Sequence, residues 1–306
     1  MTHYSTLPAA TTTPPAETSG ISRTFQGIWT FFRRHPLSAF WGLVAVAIIG
    51  VTLLAPAIVP FDPLKANFTR MTKPPSVETR HYFGTDQIGR DSLSRVIYGG
   101  RSSLLVAISA VVLGTTTGSL WGLASGYIGG RFDTISQRII EFLQAFPDLI
   151  LAMSISMALG AGTWTVIVAI AITRIPFGGR IIRSVALTLK ETAFVEAARG
   201  IGASTLRIMG RHILPQCVAP YLVLATTHLG VAILIEASLG FLGVGVPPPT
   251  PTWGNMLADA LNSGLVPPWW LVVFPGAAIT LTVLAFNLFG DGIRDTLDPR
   301  LRGARE

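Results

Sequence analysis

Ionisable residues set inside apolar runs are the first places to look for chemistry, and this chain has Glu141, Asp148, Arg174, Arg180, His228 and Glu236 in such positions. A protease working inside a membrane needs H-E-x-x-H on one helix face, or a serine or aspartate pair at membrane depth. The five histidines, His3, His35, His81, His212 and His228, contain no such pair, and no G-x-S-x-G occurs. Gly122-Leu123-Ala124-Ser125-Gly126 comes nearest and has the wrong spacing. A catalytic role is therefore disfavoured, and no catalytic residue is assigned. His228 and Glu236 could relay protons in an ion-coupled transporter. Eight residues of separation, about 12 Å along a helix, prevent direct coupling; the alternative is that each hydrogen-bonds within a helix bundle. A nucleotide site is also missing: Lys65, Lys73 and Lys190 are the lysines, and none closes a G-x-x-x-x-G-K-[ST] loop. If ATP drives this protein, another subunit binds it. The one cysteine, Cys217, excludes an internal disulfide and a cysteine-based metal cage, so no metal site is expected.

What remains is a stretch suited to mechanical work. Glu196-Ala197-Ala198-Arg199-Gly200-Ile201-Gly202 runs on through Arg207 and Arg211 to Leu214-Pro215, a charged and glycine-broken island in an apolar chain. Upstream, Leu187, Phe194, Val195 and Ala198 share a helix face. Gly200 and Gly202 stop that helix, and Ser204 is placed to cap a second one in which Leu206, Met209 and Ile213 repeat until Pro215. The island reads as helix, sharp turn, helix. Two readings stand: a surface-lying connector between membrane spans, or a docking element for a soluble partner.

The elements around it are membrane spans. With 306 residues, 50% hydrophobic and only 13% charged, and several long uncharged runs, the chain is an all-α integral membrane protein. Its net charge of +7 is that of basic loops facing anionic lipid, and nucleic-acid binding is not expected. Residues 1–36 read as a largely disordered cytoplasmic tail, rich in Thr, Pro, Ala and Ser up to Gly20. Residues 37–60 form the first span. Residues 61–101 form an extracytoplasmic segment, broken early by prolines, whose second half holds Asp86 with Arg90 and Asp91 with Arg95 at i, i+4 on a short amphipathic surface helix. Residues 102–291 hold five further spans and the island at 187–216; residues 292–306 are a charged cytoplasmic tail. Within the second span, Ser102 to Tyr127, Gly114, Gly118, Gly122 and Gly126 recur every four residues and predict a close helix–helix contact. The contact within the chain is favoured over one with a partner. The third and fourth spans, Phe142–Leu159 and Thr163 to about Arg183, form a hairpin about Gly160-Ala161-Gly162 with Pro147 and Pro176 as kink sites. Val218 to Val246 is the fifth span, and Trp269-Trp270 anchor the sixth.

Six spans put both termini on one side. Basic residues before the first span, between the second and third, from Arg174 to Arg211 and from Arg294 to Arg305 place that side in the cytoplasm, and the loop 247–268 has none. The first outside segment is a misfit, with Lys65, Arg70, Lys73, Arg80, Arg90, Arg95 and Arg101. Five spans with that segment inside is the competing topology, disfavoured because the first span is the clearest.

Together these stretches resemble the permease subunits of binding-protein-dependent ABC importers, in the dipeptide, oligopeptide and nickel branch. Glu196-Ala197-Ala198, Gly202 and Leu214-Pro215 are similar to that family's EAA loop, spaced here as E-A-A-x3-G-x11-L-P, with His212 where isoleucine is common. His81-Tyr82-Phe83-Gly84-Thr85-Asp86-Gln87 through Gly89-Arg90-Asp91, Phe241-Leu242-Gly243-Val244-Gly245 to Pro249 with Trp253-Gly254, and Asp291-Gly292 to Asp298-Pro299-Arg300 resemble the branch specifically. The resemblance implies a type I importer permease bundle in a bacterial or archaeal cytoplasmic (inner) membrane. It also implies a related second permease, two ATP-binding subunits that use ATP and Mg, and an extracytoplasmic solute-binding protein. The chain itself binds no cofactor in that picture. Glu196 then serves as polar contact or cap, Ala197 and Ala198 allow close approach of the ATPase, Gly202 supplies the turn, and Leu214-Pro215 fix the junction with the fifth span. Short peptides are the favoured solute class, with oligopeptides, glutathione and nickel chelates as competitors.

Overall fold

The computed structural model describes residues 33–262, 264 and 266–297. The N-terminal tail expected before residue 33 and the Asp298-Pro299-Arg300 match lie outside the described residues. Those described form helices joined by loops, the longest irregular stretch being residues 59–91, which holds two isolated β-bridges, Ser76 to His81 and Thr85 to Asp91. The helices in order are α1 (Pro36–Leu53), α2 (Ala55–Ile58), α3 (Ser92–Ile128), α4 (Gly130–Gln144), α5 (Asp148–Leu159) and α6 (Thr163–Leu189). There follow α7 (Ala193–Gly200), α8 (Thr205–Ile208), α9 (Val218–Phe241), α10 (Trp253–Leu261) and α11 (Trp269–Leu297). Five helical stretches are long and apolar enough to cross a membrane, or six when α4 and α5 count as one broken span.

The centre of the bundle is the seam between α3 and α6. Gly114, Gly118, Gly122 and Gly126 lie against Ala171, Ile175, Gly179 and Arg183, matching their four-residue step. A Cβ at Gly118 would stand 2.1 Å from the Ile175 carbonyl oxygen, so only glycine lets the two backbones meet there. Val106, Ala107, Ala110, Val111, Ile167 and Ile170 complete the buried layer, with Ile233 of α9 and Phe286 of α11 packed onto it. α1 exposes Leu37, Phe40, Leu43 and Val46 along one face, as a lipid-facing helix does.

Three elements differ from the sequence expectation. The surface helix expected over Asp86 to Ile97 does not form as such: residues 86–90 are turn and loop, and the part from Ser92 onward is continuous with the second span in one helix of 37 residues. Gly99 and Gly100 do not break it, because a neighbour fills the space of each missing side chain. A Cβ at Gly100 would meet Thr52 at 2.6 Å and Trp253 at 2.7 Å. The third span is not a straight helix from Phe142 to Leu159: α4 and α5 meet at 92°. Pro147 has no N–H to give and is itself extended, at ψ 134°, as the residue before α5, so the proline expected to kink the helix breaks it. Pro176, by contrast, is carried inside a continuous α6. The fifth span stops at Phe241 rather than Val246, closed by Gly243 at φ +79° with Val244 N–H donating to Leu239 O at 3.0 Å.

The i, i+4 pairing expected before the second span is half right. Arg90 Nε donates to Asp86 Oδ2 at 2.6 Å. Asp91 instead caps α3, accepting from Ser94 N at 2.8 Å and Ser94 Oγ at 2.7 Å, and meets His81 Nδ1 at 2.8 Å. A carboxylate at an N-cap finds unsatisfied N–H groups nearer than a side chain one turn on. Arg95 is released to reach Asp86 and Asp259, each at 3.5 Å.

Candidate functional site

The island between α6 and α9 is a small folded unit. Thr192 precedes α7, and Val195 and Ala198 turn inward from it onto Ile208, Ile213 and Cys217, with Leu123 of α3 and Ile182 and Ala186 of α6 completing an apolar cluster. The periodicity dictates this: 195 and 198 are one helical step apart, while Glu196 and Ala197 fall on the other face. Gly202 closes the turn at φ +78°, its N–H donating to Arg199 O at 3.0 Å, and Ala203 N–H reaches Ala198 O at 3.0 Å. A side chain there has open space but a strained backbone. Ser204 takes the N-cap position of α8 without a side-chain cap bond. The second helix is one turn long, then passes through a π turn (Met209–Ile213) and a 3₁₀ turn (Leu214–Cys217) directly into α9. Leu214-Pro215 therefore sit on the junction with α9.

The structure brings Glu196, Ala197 and Gly202 to one exposed surface, and leaves Leu214 and Pro215 exposed further along. It separates the two alanines: Ala198 is 5% exposed and serves this chain's own core, leaving Ala197 for close approach by another molecule. Two residues that sequence reasoning passed over complete the surface. Ile201 is 86% exposed and Leu206 81% exposed, one on each side of the turn. Their position beside two glycines was the available signal. Of the expected repeat Leu206, Met209 and Ile213, Ile213 is buried and Met209 packs on the cluster, while Leu206, in the single α turn before the π turn, stays outside. Arg199 lays its guanidinium 5.8 Å from the Tyr127 ring centroid, joining α7 to the end of α3.

Charged side chains fix the helices that flank this surface. Arg183 of α6 holds Asp133 of α4 through two bonds of 2.6 Å, and Ser125 of α3 donates to the same carboxylate at 2.5 Å. Deeper in the bundle, Asp148 pairs with Arg174, whose Nη1 meets His228 Nδ1 at 3.2 Å and whose Nε donates to Thr173 Oγ1 at 3.1 Å. Phe177 lies beside both, its ring centroid 5.0 Å from the guanidinium and 4.8 Å from the His228 ring, tilted 49° to the latter. His228 and Glu236 do not meet. Glu236 is fully buried among the Ser103 and Thr252 hydroxyls, near the start of α3 and the N-cap of α10.

At the far end from the island, the segment before α3 is clamped to α10. Arg90 reaches Asp259 at 3.5 Å, Gln87 donates to the Asp259 carbonyl, and Trp270 Nε1 donates to Thr85 O at 3.2 Å. Trp253 Nε1 donates to Val96 O at 2.9 Å. The site is thus a rigid bundle with a projecting two-helix surface at one end and a polar clamp at the other.

The chain has clear relatives among known proteins. Residues 118–303 match the family described as binding-protein-dependent transport system inner membrane component. A Brucella suis biovar 1 protein provisionally named a peptide transport system permease is 46% identical over 262 residues, 85% of this chain and 87% of that one. The glutathione transport system permease GsiD of Escherichia coli O1:K1 is 42% identical over 276 residues, 90% of each chain. Among solved structures, the MetNI methionine ABC transporter in an inward-facing conformation shares the fold. Its TM-score is 0.54 at 18% identity, covering 67% of this chain and 96% of that one.

Proposed function

Because the chain belongs to the family of binding-protein-dependent transport system inner membrane components, we propose that it forms half of the translocation pathway of an ATP-driven importer of short peptides. It is a multi-pass bacterial membrane protein and an ABC importer permease. The family implies an ATPase and a solute-binding protein as partners. Our reading adds a related second permease, two ATPase subunits that use ATP and Mg, cytoplasmic termini and an extracytoplasmic segment at residues 61–101. The names of the Brucella and E. coli relatives support short peptides as the solute class, glutathione among them.

The observation that carries the coupling role is the exposed face of α7 and its turn. Glu196, Ala197, Ile201 and Leu206 project together from a unit whose inner face is fully packed, and large exposed apolar groups on such a platform call for a protein partner. A partner pushing on this face moves α6 and α9 as rigid bodies, since α7 is seated on Ile182 and Ala186 and the 3₁₀ turn runs into α9 without a linker. Glu196 is the polar contact, Ala197 the point of close approach and Gly202 the turn that sets the angle of the face.

Replacing Gly202 by valine is the test. The full importer should still assemble in the membrane, while ATP-dependent peptide uptake into proteoliposomes is lost. Uptake at the unmodified rate would remove the coupling role. Peptide accumulation driven by a proton gradient without the ATPase would instead restore an ion-coupled transporter.

A further inference from the structure

We propose that Asp148, backed by Arg174 and His228, lines the aqueous pathway at the middle of the membrane and offers its carboxylate to the ammonium group of a passing solute. This rests on the permease reading above and names a subsite within it.

Depth comes from helix arithmetic. Asp148 opens α5, 12 residues long, which ends beside the Gly160–Gly162 turn; at 1.5 Å per residue it lies about 18 Å from that membrane face. Arg174 is 11 positions into α6, about 17 Å from the same turn. His228 is 13 positions from the α9 terminus at Phe241, about 20 Å. Across a hydrocarbon core of about 30 Å, all three stand near the midplane.

Two observations say that this place is not covered by lipid. The Asp148 side chain is 37% exposed, while Arg174 behind it is 1% exposed. An ionised carboxylate at that depth facing hydrocarbon is costly, whereas facing water it is not. Independently, the chain is non-helical at the break, and Ala145, Phe146 and Pro147 are all exposed. Irregular backbone at membrane depth persists only against protein or beside a water-filled cavity. Water serves both features at once, supplying donors to the free carboxylate edge and to the carbonyls at the break.

The pair also has a direction. Its cation is sealed in the bundle, held by Thr173 and His228 and flanked by Phe177, and its anion is the part that shows. The arrangement is neutral overall and negative on its open side. A solute with a protonated amino group meets an acceptor there, and one ending in a carboxylate does not. Arg174 and His228 are positioning residues in this reading; Asp148 alone touches the solute.

The test uses the assembled importer in proteoliposomes, with Cys217→Ser in this chain and Ala145→Cys as reporter. Its labelling is followed on this subunit with two membrane-impermeant methanethiosulfonates, one bearing trimethylammonium and one bearing sulfonate. With each rate divided by that reagent's rate toward a free thiol in solution, the ammonium reagent should react faster by about tenfold, in keeping with the field of a single exposed charge in a narrow cleft. Asp148→Asn should erase that preference, and Arg174→Gln should increase it. Opposite shifts from the two substitutions cannot arise from a general loss of structure. Failure of both reagents to label in any nucleotide state would mean that lipid or the second permease covers the site, and would overturn the proposal. An unchanged reagent preference in Asp148→Asn would do the same. Loss of ATP-driven uptake or of ATPase assembly in the unmodified importer would instead strike the underlying permease reading, so the two failures are separable.

Discussion

Gly118→Ala puts the α3–α6 seam to a quantitative test. The added Cβ would stand 2.1 Å from the Ile175 carbonyl oxygen and 2.9 Å from its carbon. Ordinary contact needs about 1 Å more. The obstacle is main chain in the middle of α6, which cannot rotate away as a side chain does, so the helices must part. Two terms compete. Alanine in a helix interior is favoured over glycine by about 1 kcal/mol, while overpacking costs about 1–3 kcal/mol or more when backbone must shift. With main chain in the way the upper part of that range applies, and the net expectation is a loss of about 2 kcal/mol. Gly122→Ala meets the Gly179 carbonyl oxygen at the same 2.1 Å. One outward displacement of α6 relieves both clashes, so the double variant should lose less than the sum of the two single losses. Gly50→Ala in α1, with nothing within 4 Å of the added Cβ, is the matched control and should be neutral or slightly stabilising. Unfolding free energies from SDS titration in mixed micelles measure all four. Equal effects at Gly50 and Gly118, or fully additive losses along the seam, would refute the reasoning.

Other consequences are open to measurement. Asp91→Ala removes the cap of α3 and should cost about 1–2 kcal/mol, with faster amide exchange at Ser94 and its neighbours and little change at the other end of the helix. Asp86→Ala leaves Arg90 and Arg95 without their nearest carboxylate and should cost about 3 kcal/mol, part of which Arg95→Met restores in the double variant. Arg183→Ala strips two hydrogen bonds from Asp133; a loss of about 2 kcal/mol is expected, and an unchanged denaturation midpoint would show that the α4 contact carries no weight. Gly202→Val should cost about 1–3 kcal/mol, the strain of a branched residue at φ +78° in otherwise open space, and leave the bundle folded while uptake disappears.

Much of the architecture could be read from local pattern, and the exceptions share a cause. A four-residue glycine step needs only one helix to be recognised, but its partner, α6, could not be named from it, because the ridge residues of α6 are not all glycine. The island was legible because charge and glycine stand out against apolar sequence. Its inner and outer faces could be separated by helical period, yet the second helix could not be trusted to continue, and Leu206 shows the result. The broken third span had Pro147 as its signal; whether a proline kinks or breaks a helix depends on what seats the next segment, here the pairing of Asp148 with Arg174 from another helix. That cluster joins residues 26 and 54 positions apart, which no local rule connects. Asp91 is a different case. Asp-Ser-Leu-Ser before an apolar run is a cap signature, and the competing i, i+4 pattern with Arg95 drew attention from it.

The clamp between the segment before α3 and α10 also orders events in time. Arg90 and Asp259 are separated by 169 residues. At about 5–20 residues per second, the first partner waits on the order of ten to thirty seconds for the second to be synthesised. Throughout that interval four spans, α3, the broken α4–α5, α6 and α9, must enter the bilayer while Arg90 and Arg95 lack one of their acidic partners and Thr85 lacks its tryptophan. A part of the fold made early, directly after the first span, is therefore among the last to be finished, and only a nearly complete chain can close it.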